Sequence, residues 1–230
     1  LGGDFAGNDR QLQGNIAIGG EALDATGTNA QTGTIAIGKS ALTALTTGYN
    51  NLAIGYNAGL TMTSGANNVF IGYSVADAIG TDTTGNAIVG RGAFGGSHTG
   101  SCHYHTAVGD EALAGALTTA SAGSVAIGRQ ALTALTSGIG NVAIGYQSMD
   151  ANATSDYNTA VRYSTLGAVN SDGAGMNSAV GYNAGGSITS GLYNTILGAN
   201  AGDGFDAESH NTFIGYAVGC LLYTSDAADE

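Results

Sequence analysis

The chain has 230 residues, of which 40 are glycine, none is proline or tryptophan and only 10% are charged, a composition far from that of an average globular domain. A formal charge of −12 with only five Lys and Arg excludes the basic surface that nucleic acid or an anionic membrane requires, and 43% hydrophobic residues exclude a disordered coil. No apolar run approaches the roughly 18 to 20 residues of a membrane span, so no membrane insertion is expected, and Cys102 and Cys220 are too few to frame the fold with disulfides.

Self-similarity dominates the rest. Aligned on the phrase NxAIG, the predicted strands follow in chain order at 15–19, 34–38, 51–55, 68–72, 86–90 and 105–109, then at 124–128, 141–145, 158–162, 177–181, 194–198 and 211–215. The closing positions lie 17 to 19 residues apart, and Leu1-Gly2 fits as the end of a further copy. The residue before each closing position is a branched aliphatic, as in Ile54 and Ile144, and in a strand it shares a face with the residue two before it. That face is expected to line the core. The opposite face carries Ala53, Ala143 and their equivalents, with Phe or Ile in a few copies, where a solvent-facing strand would be polar. A strand apolar on both faces should be covered on both, and small Ala side chains suit close approach of a second copy of the chain.

Each closing glycine is followed by a second short apolar phrase, as in GKSAL or GDEAL, and then by a Thr/Ser-Gly turn before the next strand. Gly38, Gly55, Gly72, Gly128 and Gly145 are therefore expected at corners with positive φ, which glycine adopts cheaply. A unit of this length suits one rung of a flat, two-sided roll. The predicted fold is an all-β parallel β-solenoid of about 12 rungs, and at about 4.8 Å per rung it makes a thin rod roughly 50 Å long. A core so narrow is expected to lean on neighbour stacking and oligomerisation.

The repeated NxAIGxxA(L/G), interleaved with LTxLTTGxNN, resembles the head repeats of YadA-like trimeric autotransporter adhesins and equally the repeat arrays of phage and viral tail fibres. The resemblance covers residues 1–219. It implies a left-handed parallel β-roll, a homotrimer, an extracellular place on a bacterial surface or a virion tail fibre, and attachment to a host-cell receptor or surface glycan. It implies no catalytic residue and no cofactor. The adhesin repeats are typically shorter, and Arg162 stands where the corner glycine is expected.

Other local patterns are weighed against the repeat. Gly90, Gly92 and Gly95 have the GxGxxG spacing of a dinucleotide loop but fall at a repeat corner, and Asp203, Asp206 and Glu208 match no calcium loop and suit a solvated turn. In the irregular stretch 95–110, His103 and His105 are expected on one strand face, where the pairs of three chains would offer an octahedral set to a transition metal. Tyrosines just after the corner, among them Tyr56, Tyr73 and Tyr146, suggest an amphipathic ladder. With His98 and Tyr104 they are the candidate receptor contacts. The enlarged rungs between Gly72 and Gly128 are the candidate recognition loops. Two other classes stay open: a fibre-borne polysaccharide depolymerase, and an ice-binding solenoid, whose Thr rank at Thr46, Thr63 and Thr136 is broken by Gly80, His98, Leu117 and Ala153.

The period stops after Gly219. Residues 220–229 back-translate into the end of a common transposase-based sequencing adapter, and 220–230 are expected not to be native. Without Asp226, Asp229 and Glu230 the charge moves from −12 to −9. The expected domain is then 1–219, an internal piece of a longer fibre.

Overall fold

A computed structural model describes residues 14–25, 31–80, 82–118 and 121–220. The segment read as an adapter lies outside these residues, apart from Cys220. No helix occurs among the described residues. Twelve three-residue strands, from Ile16–Ile18 to Thr212–Ile214, form one parallel sheet in strict chain order. Register never slips, so that Ala36 pairs with Ala53, Ala53 with Phe70 and Phe70 with Ile88. Facing it, strands of two or three residues make a second ladder through Gln31–Thr32, Thr47–Tyr49, Ser64–Ala66 and Thr83–Thr84. Single bridges extend that ladder to His103 and Ala122. The chain is a parallel β-solenoid.

The two faces of the long sheet are the reverse of the expectation. Ala36, Ala53, Ala107, Ala126, Ala143, Ala160 and Ala179 are wholly buried inside the roll, together with Phe70, Ile88 and Ile196. The branched aliphatics point outward instead: Ile54 and Ile144 are half-buried, while Ile18 is 57% exposed and Ile214 65%. The Ala face is therefore covered by the chain's own turns and is not an interface.

The reason is volume. The fourth residue after each corner packs on the central residue of the next strand, and the two sizes complement one another throughout. Leu42 precedes Ala53, Leu113 precedes Ala126, Leu132 precedes Ala143 and Leu166 precedes Ala179. Where the strand residue is large, the turn residue is small: Gly59 before Phe70, Ala76 before Ile88, Gly185 before Ile196 and Gly202 before Phe213. A Cβ on Gly59 would lie 3.3 Å from the Phe70 ring, and one on Gly185 would lie 2.8 Å from Ile196. A roll this thin has room for one large side chain per rung at that level.

The corners have φ of +131° at Gly38, +141° at Gly55, +147° at Gly72, +131° at Gly128 and +137° at Gly145. A Cβ on Gly55 would overlap the carbonyl oxygen of Gly72 in the next rung. Close backbone approach and positive φ thus both call for glycine. Arg162 takes the same corner with φ +119°, in a region that side chains rarely occupy.

The residue opening each strand builds a buried ladder along the rod. The side-chain oxygen of Asn68 accepts the Asn86 backbone N–H at 3.1 Å and its side-chain amide at 3.0 Å, while the Asn68 amide donates to Asn51 at 2.9 Å and to the Thr83 carbonyl at 2.6 Å. The pattern recurs from Asn141 through Asn158, Asn177 and Asn194 to Asn211. Where His or Ser replaces Asn the role persists: His105 Nδ1 accepts the Ser124 N–H, and Ser124 Oγ accepts that of Asn141, each at 3.3 Å. Amides that no sheet partner reaches are satisfied inside the roll in this way.

Candidate functional site

Three features of the surface and one of the interior hold the chemistry-bearing side chains. The first is the edge just after the corners. Tyr56 stacks on Tyr73 at 5.2 Å and 14°, and Tyr146, Tyr163 and Tyr182 form a second stack at 5.3 and 5.2 Å. The guanidinium of Arg129 lies 5.5 Å from the Tyr146 ring centre and closes that stack at one end. Lys39, Arg91 and Arg129 share this edge, and the Arg91 guanidinium, bonded to Asp110 at 2.7 Å, holds that carboxyl below the usual range. The ring faces are spent on one another, so outward they offer edges and hydroxyls.

The second feature is the turn before each strand. Its last residue has left-handed φ in every rung, and Tyr104, Tyr157, Met176, Tyr193 and His210 occupy it in five of them. Tyr104 is the most exposed of the three tyrosines, at 68%. Close by, an open depression of about 300 Å³ is lined by Thr47, Gly48, Tyr49, Gly65, Ala66, Asp82 and Thr84.

The third is the acidic turn. Asp203 accepts the Ser187 hydroxyl at 3.0 Å, Asp206 accepts that of Thr189, and Glu208 accepts the backbone amides of Asp206 and Ala207. The amide of Asp206 above all holds the Glu208 carboxyl below its usual range. Asp203 and Asp206 thus tie their turn to the preceding rung and Glu208 caps its own, and no cluster of three metal-ligating side chains occurs among the described residues.

The histidines are interior. His98 fills the core column that Leu45, Met62, Ile79, Leu117 and Leu135 occupy in other rungs, with its ring 4.3 Å from that of Phe94 in an edge-on arrangement. It is therefore not a receptor contact. His105 is 1% exposed on the buried ladder, and Tyr104, at φ +61°, turns the chain between it and His103. His103 instead bridges the second ladder. The pair does not share a strand face, and His105 does not reach an axis outside the roll. Burial pushes both His98 and His105 down to about 4, each helped by a neighbouring imidazole. Among the described residues, neither nitrogen of His98 nor Nε2 of His105 has a hydrogen-bond partner.

One extra residue of each rung between Gly72 and Gly128 falls between the core residues Ile79, His98 and Leu117 and the second ladder, and the two longer rungs carry a second one between the corner and His98 or Leu117. Thr81, Thr119 and Ala120, which belong to these turns, lie outside the described residues. In the broken Thr rank, Thr46 and Thr136 donate their hydroxyls to Thr63 and Ala153 carbonyls at 2.9 and 3.0 Å.

The fold thus defines a repeat protein of the parallel β-solenoid class with a narrow core. Comparison with protein-family models, with characterised proteins and with solved structures finds no match to this chain.

Proposed function

We propose that the chain is a non-enzymatic segment of a homotrimeric attachment fibre, extracellular, carried on a bacterial surface or a virion tail, whose partner is a host-cell receptor or a surface glycan. The observation that supports this reading is the outward aliphatic stripe of the long sheet. Ile18, Val89, Val108, Ile127, Val180, Leu197 and Ile214 are each more than a third exposed, and every rung between them carries Ile or Val at the same level. A continuous apolar stripe of this kind asks for a cover. Its repeat of about 4.8 Å is matched in register by a surface with the same repeat, and another copy of the chain is such a surface. Three copies around one axis would each present their stripe to both neighbours. Repetition of rungs then supplies reach, and three parallel chains let weak contacts act together.

The mass in solution tests the assembly. Sedimentation equilibrium should give three chains, and Ile127→Asp should dissociate them with the β-sheet circular dichroism retained; a stable monomer overturns the trimer. Labelled rods should adhere to intact bacterial or animal cells, and adhesion to none of a broad panel overturns the attachment role.

A further inference from the structure

The residue preceding the ladder position has φ between +47° and +72° in every described rung. Glycine fills it at Gly14, Gly33, Gly85, Gly123 and Gly140, and asparagine at Asn50 and Asn67, the residue types that take this conformation at least cost. Tyr104, Tyr157, Met176 and Tyr193 take it at a cost, and burial does not repay them, since they are 68, 50, 45 and 44% exposed. Bulky side chains held against backbone preference, on the surface, point to a use other than folding.

The row has a shape. Tyr104 covers Gly85 and Tyr157 covers Gly140, so that a Cβ on either glycine would lie 2.9 or 2.8 Å from the ring. Above Tyr104 sits Gly123, where an added Cβ would meet nothing within 4 Å. Between the two rings the edge is therefore open at Gly123, and the gap runs from the Tyr104 level to the Gly140 level that the Tyr157 ring covers, two rung steps or about 10 Å. Higher up, Tyr193 stacks on His210 at 4.9 Å. The tyrosine stacks after the corners lack such a gap.

Charge narrows the ligand. Lys39, Arg91, Arg129 and Arg162, the cations among the described residues, all lie at the other edge. The row is flanked by Asp156, which accepts the Ile139 N–H at 2.8 Å, and by Glu208, fixed by its two backbone amides. Carboxylates without cations repel an anionic polymer, and carboxylates already held by backbone amides serve as fixed acceptors for hydroxyls. Rings repeated along a straight line suit an extended chain of repeated units, whose apolar sugar faces lie on aromatic rings.

We propose that this edge binds an uncharged polysaccharide, with a sugar ring in the notch between Tyr104 and Tyr157. The proposal rests on the attachment reading and gives it a site and a ligand class. The test uses the full chain and its Tyr104→Gly, Tyr157→Gly and double variants, with Tyr163→Ala from the corner stack as comparator. Immobilised β-glucan, mannan and dextran are the probes, against alginate, heparin and polylysine. At least one neutral polymer should bind. Each glycine variant should weaken that binding tenfold or more with an unchanged or higher thermal midpoint, because glycine relieves the backbone, and Tyr163→Ala should bind as the parent does. Undiminished binding by the glycine variants, a lowered midpoint, preference for alginate, heparin or polylysine, or binding to no neutral polymer would each overturn it. Cell adhesion measured in parallel separates the two readings: adhesion undiminished in the double variant sinks this site alone, whereas a parent rod that adheres to no cell sinks the attachment role.

Discussion

Gly59 lies beneath the ring of Phe70, and where the strand residue is Ala53 the turn residue is Leu42. The pair shares one fixed volume. Phe70→Ala should therefore cost about 3 to 5 kcal/mol, and Gly59→Leu about 1 to 3 by overpacking. The double variant, which has the composition of the Leu42–Ala53 level, should lose less than Phe70→Ala alone. Urea unfolding of the three variants measures the coupling; additive losses would count against shared volume.

At the Arg162 corner, φ of +119° strains a residue with a side chain. Arg162→Gly should raise stability by about 1 to 3 kcal/mol. The check is the denaturation midpoint at unchanged m-value, and a loss would mean that the arginine side chain compensates for its backbone.

The asparagine ladder predicts a graded series. Asn68→Ala orphans the Asn86 N–H and the Thr83 carbonyl, at about 1 to 3 kcal/mol each. Asn68→Ser should lose less, since Ser124 still accepts an amide from the next rung. Thr34 leaves its hydroxyl buried without a partner, so Thr34→Asn should stabilise by about 1 kcal/mol. Equilibrium unfolding of the set orders these values.

The buried histidines set a pH dependence. With His98 and His105 held at about 4, the unfolded chain, titrating near 6.5, binds more protons than the folded one between those values. Stability is then full above about pH 6.5 and falls by roughly 3 kcal/mol per histidine as the pH drops toward 4. His98→Leu and His105→Asn, the residue types of neighbouring rungs, should each flatten this slope by about half in urea titrations at pH 7, 5.5 and 4.5. An unchanged slope would place the proton uptake elsewhere.

Much of this molecule was legible in its residues. The spacing of NxAIG located every strand of the long sheet, the recurring glycine located every corner but that of Arg162, and the Tyr56 and Tyr146 ladder emerged where its period put it. The histidines mislead, because the irregular stretch 95–110 suggests His103 and His105 on one strand face and His98 at the surface, whereas His98 stands in a core column and His105 in the ladder; the alignment of His98 with Leu117 and Leu135 is the available signal.

What the sequence determined by itself was the one-dimensional pattern: rung length, parallel in-register stacking, glycine at the close approach of backbones, and an amide-bearing residue opening the strand. Only the tertiary structure decided which face of the strand is inside. Alternation separates two faces but does not orient them when both are apolar. The roll's width orients them: Ala53 or Phe70 fits inside only against a turn residue of the opposite size, while Ile54 and Ile71, beside them in the strand, have no such partner and point outward.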